Sequence, residues 1–358
     1  MPTTRRSRQN PLVNEFILRN VEQNPRSIGR LATAEFGLSR TAVNRYLRRL
    51  VDDGLLTATG KTNARKYQLK NLADIVFKLD DITVSSGEDT VWRFRILPHI
   101  HNITKNVLGI CQYGFTEILN NVFDHSLSND VVISFQQNHY KIKIGIIDSG
   151  IGIFSKIQKD FNLPDPRSAL LELSKGKLTS DRARHTGEGI FFTSRMFDIF
   201  QIQSGGLFYS RERTEGDEWL IETDDLYEPV MGTHVFLEIS TDAKWTTTEI
   251  FSKYEGEHLG FRKTHVPIKL GNYPGEQLVS RSQAKRVLAR FDQFSEVFLD
   301  FHGVETIGQA FADEIFRVFH NDHPDIKIIA IRTEPDVKRV IDRTIQSAND
   351  DDQGSLFF

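Results

Sequence analysis

A chain of 358 residues, 39% hydrophobic and 26% charged, has ordinary globular composition and is long enough for two or three domains. No apolar run approaches the roughly 18 residues that a membrane-spanning helix requires, and Arg5, Arg6 and Arg8 precede no apolar stretch, so neither a membrane span nor a secretory signal is expected. The single cysteine, Cys111, rules out an internal disulfide; a reducing, cytoplasmic setting is expected, with the thiol buried and inert in an apolar helical pattern.

The net charge of −3 hides an asymmetry. Residues 1–70 hold 14 Lys and Arg against 5 Asp and Glu, a net +9, which leaves −12 for the remainder. A basic head on an acidic body calls for a polyanion partner at the head, and double-stranded DNA is the expected one.

In chain order, Val13, Phe16, Ile17, Leu18 and Val21 predict a helix over 12–23, stopped by Asn24-Pro25. Ser27 is placed to cap a second helix over 27–36, with Ile28, Leu31 and Ala32 inward, and Gly37 ends it. Ser39 opens a third helix carrying Val43, Tyr46, Leu47, Leu50 and Val51. Two short strands over 55–57 and 66–69 flank a turn at 60–63. Three helices and a basic hairpin predict a winged helix-turn-helix over 1–71. Its third helix presents Arg40, Thr41, Asn44, Arg45 and Arg48 to phosphates and groove edges, and the hairpin adds Lys61, Arg65 and Lys66 as a wing. The competing reading is a small helical docking domain with a solvated charged face.

Residues 73–79 predict a strand, and Trp92, Phe94 and Ile96 sit in a helical stretch broken by Pro98. A long helix over 103–125 carries Val107, Ile110, Cys111, Phe115, Ile118, Leu119, Val122 and Phe123 as one buried stripe. Strands follow at 131–136 and 140–147. A loop-rich region over 154–185 contains one helix near 167–173 and the basic cluster Lys175, Lys177, Arg182 and Arg184. A helix over 190–197 and strands at 200–204, 207–210, 219–222 and 234–239 complete a middle domain, 72–270. After Pro274-Gly275 the pattern becomes helix, strand, helix, strand, helix, predicting a small α/β unit over 271–346. The acidic stretch 347–358 is expected to be a flexible tail.

Four motifs in the middle domain carry chemistry. In Glu117-Ile-Leu-Asn-Asn121, the glutamate and Asn121 lie one helical turn apart on one face. Asn121 offers an amide oxygen to Mg2+, and Glu117 can take a proton from a water or hydroxyl beside a phosphate. Asp148, at the end of an apolar strand, suits the exocyclic amine of adenine, with Gly150 and Gly152 admitting close approach of the base. Gly187 and Gly189 precede a helix start, where N–H groups favour phosphate, and Lys177 is a further candidate nucleotide contact. Thr233, after Gly232, is placed to complete the adenine contact through water. Singly, each glycine pair reads better as an ordinary turn, and Asp148 as a solvated carboxylate at a strand end; the ordered set predicts bound ATP and Mg2+. His99 and His101 have no third ligand in view, and His125 and His185 serve either the pocket or packing.

This set, over about residues 75–240, resembles the GHKL superfamily of gyrase-type ATPases, mismatch-repair ATPases, histidine kinases and anti-sigma serine kinases. The resemblance implies a Bergerat-type α/β sandwich in which Glu117, Asn121, Asp148 and the Gly187/Gly189 lid take those roles. The lid sequence Gly187-Glu-Gly189-Ile-Phe lacks the family's further glycine. The stretch Val297-Phe-Leu-Asp-Phe-His-Gly-Val304 with the following helix resembles STAS domains. Anti-sigma antagonists of that fold carry a phosphorylatable serine where this chain has Gly308, Gln309 and Ala310. The whole arrangement is similar to a group of bacterial proteins that join a winged helix, a GHKL module and a STAS-like end. The terminal Gln353-Gly-Ser-Leu356-Phe357-Phe358 resembles the sliding-clamp peptide, in which Gln353, Leu356 and Phe357 would be the anchors.

The fold class expected is therefore multidomain α+β: winged helix-turn-helix, GHKL sandwich, STAS-like domain. The function expected is an ATP-binding regulator with ATPase activity, in which Mg-ATP binding or hydrolysis alters contact with DNA or a protein partner, a homodimer being anticipated. The alternatives are a serine/threonine protein kinase acting on a separate partner and a scaffold that binds nucleotide without hydrolysis.

Overall fold

The computed structural model describes residues 10–61, 64–80, 87–178, 187–213, 218–222, 229–256, 260–273 and 276–354, with backbone alone at 218–222 and 348–354. The protein is a mixed α/β multidomain chain. Helix α1 (Pro11–Asn20) begins where Asn10 Oδ1 accepts from the Leu12 N–H and proline takes the first helical position. Helix α2 (Ile28–Phe36) ends at Gly37, which takes the left-handed conformation at φ +60°. Helix α3 (Arg40–Asp52) is capped by the Ser39 hydroxyl, which accepts from the Ala42 N–H at 3.2 Å. Strands β1 (Leu56–Thr59) and β2 (Lys66–Leu69) pair antiparallel as the wing. Val13, Ile17, Val43, Leu47 and Leu50 form the core of this unit. Two local expectations are corrected. Leu31 faces outward at 37% exposure, because Ile28 and Ala32 already fill the inward stripe. Ser27 stands at the start of α2 without a side-chain cap bond: its backbone is already turned (φ −107°, ψ −3°) and its hydroxyl meets Asn24.

Seven antiparallel strands form the central sheet in the order β3-β4-β5-β9-β6-β7-β8. They are β3 (Ala73–Asp80), β4 (Asp130–Gln137), β5 (Lys141–Asp148), β6 (Ile199–Gly205), β7 (Leu207–Glu212), β8 (Glu218–Glu222) and β9 (Val230–Ser240). A short helix α4 (Glu88–Val91) runs through a π-helical turn (Trp92–Ile96) towards α5 (Lys105–His125). The α5 stripe of Val107, Ile110, Cys111, Phe115, Ile118, Leu119 and Val122 is buried, and Phe123 is half-buried. Alternate residues Val131, Ile133 and Phe135 of β4 point into the same core. Helices α6 (Ile153–Asp160), α7 (Pro166–Lys175) and α8 (Gly189–Met196) complete that layer. Residues 154–178 are thus less loop-rich than expected: α6 is a full helix, too short for its Ile153, Phe154, Ile157 spacing to stand out in sequence.

Helix α9 (Thr247–Tyr254) leads to a three-stranded parallel sheet, β10 (Lys263–Pro267), β11 (Glu296–Asp300) and β12 (Lys327–Ile331), in that order. Its helices are α10 (Arg281–Leu288), α11 (Gln309–Asp313), which runs through a π-helical turn (Glu314–Phe319) into α12 (His320–Asp322), and α13 (Pro335–Gly354). The first strand of this sheet lies before the boundary expected at residue 271; only its pairing with β11 reveals it. Helix α13 continues to Gly354 in place of the flexible tail expected from 347, because Val337, Ile341 and Thr344 bury one side of it and the helix propagates beyond that anchor. Apolar contacts are continuous from Ala73 to Ile341, so the two sheets share one core.

Candidate functional site

A cavity of about 410 Å³ opens between α5, α6 and the ends of β5 and β9. Glu117, Asn121, Asp148, Gly152, Gly187, Gly189 and Thr233 line it, so motifs spread over more than a hundred residues converge on one space. Ile118, Ile146 and Val235 give it an apolar floor, and His125 lies at its rim while Asp124 is exposed.

Asp148 is 3% exposed and stands opposite Thr233 in the β5–β9 register. Its Oδ1 accepts from the Gly150 N–H at 2.9 Å. Burial pushes the carboxyl above the ordinary aspartate range, opposed by the N–H groups of Gly150 and Thr233. The backbone crowds this carboxylate: a Cβ on Gly232, whose φ is +73°, would lie 2.1 Å from the Asp148 carbonyl oxygen, and one on Gly150 would lie 2.0 Å from that of Ser126. Gly150 itself lies behind the cavity lining. The Thr233 hydroxyl accepts from the Ile153 N–H at 3.0 Å and so holds the first residue of α6.

Across the cavity, Glu117 and Asn121 project from successive turns of α5. The α8 N-terminus presses against them: a Cβ on Gly189 would sit 2.0 Å from Glu117 Oε2. The Tyr113 hydroxyl, one turn before Glu117, is held above its usual pKa by burial and then by the charges of Glu117 and Glu188. Lys156 and Asp160, paired at 2.9 Å, form a wall that sequence inspection missed along with α6 itself.

Two lysines of the expected basic cluster turn away from this space. Lys177 does not line the cavity; its ammonium donates to the Gln293 carbonyl at 2.8 Å and lies over the rings of Phe261 and Phe294. Lys175 is fully buried, donating to Glu172 at 2.6 Å and to the Ala289 carbonyl at 2.9 Å. The C-terminal unit, far along the chain from either lysine, captures both. Arg182, Arg184 and His185 lie outside the described residues. Among the described residues no group of three or more His, Cys, Asp or Glu is placed to hold a metal, and the His101 backbone is bound on both sides by the Gln137 amide.

On the N-terminal unit, Arg40, Thr41, Asn44, Arg45 and Arg48 are all exposed along one side of α3, while Val43, Leu47 and Leu50 bury the other. Lys61 and Arg65 are exposed on the wing and Lys66 is half-buried. Opposite charges tie this unit to the central sheet: Glu22 faces Lys141 at 3.4 Å and Lys143 at 3.7 Å, and both lysines also pair with Glu238. Tyr140 packs against the winged-helix core at the same junction. Of the expected terminal peptide, Gln353 lies in the backbone of α13, and Leu356 and Phe357 fall outside the described residues.

Comparison with known families matches residues 17–57 to a model described as winged helix-turn-helix DNA-binding, and residues 283–338 to one described as a STAS-like domain of unknown function. No curated protein matches the chain. The chain therefore joins a winged helix-turn-helix near its N-terminus to a STAS-like domain at its C-terminal side.

Proposed function

We propose that this protein is a regulator whose winged helix contacts DNA and whose middle sheet is a GHKL-type module that binds Mg-ATP and sets the strength of that contact. The observation that carries the nucleotide reading is the pairing of two features across one cavity. A buried Asp148 carboxylate is framed by glycines at one end, and Glu117 with Asn121 faces the α8 N-terminus at the other. The first suits a flat base with an exocyclic amine; the second suits phosphates, a metal and a proton acceptor. The apolar floor between them suits the faces of the base.

The donor set fits Mg2+ in one respect that matters: Asn121 offers a neutral amide oxygen with little other protein ligation, as expected of an ion that keeps phosphate oxygens and waters as most of its ligands. When bound, the metal would neutralise developing phosphate charge. Asn121 would hold the metal, Glu117 would accept a proton from the attacking water, and Asp148 would hold the base. Nucleotide can change DNA contact only by binding two conformations with different affinity. The Glu22–Lys141–Lys143 junction connects the unit that bears the exposed α3 arginines to the sheet that carries the cavity.

The test is incubation with γ-labelled Mg-ATP, following the label in wild type and Glu117→Ala, with DNA affinity measured alongside. Phosphate release that depends on Glu117, together with a nucleotide-dependent DNA affinity, is expected. Absence of nucleotide binding removes the reading.

A further inference from the structure

The segment that closes one wall of the cavity packs on α6 and α8 and is tied by a set of polar bonds to the C-terminal unit. Leu173 and Leu178 line the cavity, and between them the chain is gripped residue by residue. The Lys175 ammonium donates to Glu172 Oε1 at 2.6 Å and to the Ala289 carbonyl at 2.9 Å. Arg290 donates to Glu172 Oε2 at 2.9 Å, to the Gly176 carbonyl at 3.1 Å and to the Lys177 carbonyl at 2.5 Å. Thr264 Oγ1 donates to the Lys175 carbonyl at 2.7 Å, and Lys177 donates back to Gln293. Gly176, at φ +79°, turns so tightly against Phe261 that a Cβ would lie 2.6 Å from the ring.

We infer that the STAS-like unit is part of the nucleotide site: Arg290 is a positioning residue that fixes the 172–178 wall, so nucleotide occupancy and the packing of this unit are energetically coupled. This rests on the nucleotide reading above. The physical reason lies in the chemistry of the joint. An interdomain joint meant only to adhere is well served by apolar contacts, which Phe191, Phe261 and Phe294 already supply. Here two cations and one carboxylate are also taken out of water, with Lys175 at 0% and Glu172 at 5% side-chain exposure. Such a network is satisfied in one arrangement and poorly satisfied in any other, so it transmits position where apolar contacts tolerate slippage. The coupling is reciprocal by linkage: whatever the wall does to nucleotide affinity, bound nucleotide does to the unit that holds the wall. Burial first, and then Arg290, hold the Lys175 pKa down to about 8 against the pull of Glu172.

The experiment is hydrogen exchange on the full chain, with and without Mg2+ and the β,γ-imido analogue of ATP, combined with analogue affinity for wild type and Arg290→Gln. Protection is expected at 117–121 and 148–152 and also at 281–300, remote from the ligand. Arg290→Gln should weaken binding by about fivefold or more and lose the remote protection. Protection at the cavity with none at 281–300, or unchanged affinity in Arg290→Gln, overturns the inference and leaves the nucleotide reading standing. No protection anywhere overturns both. Should Arg290→Gln fail to fold, the wild-type exchange pattern decides alone.

Discussion

Asp148 and Thr233 face each other across β5 and β9, and the threonine serves both ends of the same junction: its N–H steadies the Asp148 carboxylate, and its hydroxyl receives the Ile153 N–H that starts α6. One strand pairing thereby sets the buried acid and the helix that walls the cavity beside it.

A stability–function conflict at Asp148 follows. Its pKa in the folded state is raised by burial, so the native protein holds the proton more tightly than the unfolded chain. The contribution of this group to stability is present below the unfolded carboxylate pKa and is lost as pH rises through the folded one. Asp148→Asn should therefore leave the melting temperature of the ligand-free protein unchanged or raise it, while weakening ATP binding by about 10- to 100-fold, the worth of one charge-assisted hydrogen bond. Wild-type ATP affinity should fall with acidification at a pH above that of an exposed aspartate. Calorimetric titration across pH, with thermal melts of both proteins, reads this out; equal ATP affinity would disprove the assignment.

Gly189 tests the close approach of α8 to Glu117. An added methyl meets the end of a flexible side chain, so Gly189→Ala should fold and displace the Glu117 carboxylate. Phosphate release should drop by about 10²-fold or more, within the range for a misplaced general base. A turnover equal to wild type would mean that Glu117 does not act from this position.

Arg45 and Arg48 are exposed on α3, away from its buried Val43, Leu47 and Leu50, so replacing both with alanine should not unfold the N-terminal unit. DNA affinity should fall, and the slope of log K against log salt should shrink by about 2, close to one unit per lost phosphate contact. Fluorescence anisotropy over a salt series measures it; an unaltered slope would move the DNA face elsewhere.

The STAS-like sheet has its own acid-sensitive centre. Burial works against the Asp300 carboxylate, yet hydrogen bonds from His265, Arg332 and the His302 N–H together hold its pKa well below the usual carboxylate range. A depressed folded pKa gives stability that is present above the unfolded carboxylate value, about 3.9, and lost as pH falls from there towards the folded one. Asp300→Asn should cost about 3 kcal/mol at pH 7, as when one partner of a buried ion pair is removed, and should flatten the acid loss of stability. Urea unfolding at pH 7 and pH 3 distinguishes the outcomes, and equal stability of the variant at pH 7 would refute the role.

Several features were legible because their causes act within a few residues. The Ser39 cap, the Gly37 stop and the α5 stripe each depend on neighbours within a turn or two of helix, and the winged helix follows from them in order. The convergence of Glu117, Asn121, Asp148, Gly189 and Thr233 on one cavity was likewise anticipated from motif order. Helix α6 and strand β10 were not, being eight and five residues long with too few apolar positions to show a period.

By itself, then, the sequence determined the longer local elements, the charge division between the basic head and the acidic body, and the motif residues Glu117, Asn121, Asp148, Gly189 and Thr233 that line the cavity. Tertiary structure alone decided which lysine serves which partner. Within the basic cluster, Lys177 reads as a nucleotide contact until Lys175 and Lys177 are seen bound to carbonyls of Ala289 and Gln293, 114 and 116 residues away. A lysine's charge is local, but the oxygen that captures it depends on the shape of the whole chain, because burial makes satisfied pairing obligatory wherever the fold brings a partner within reach.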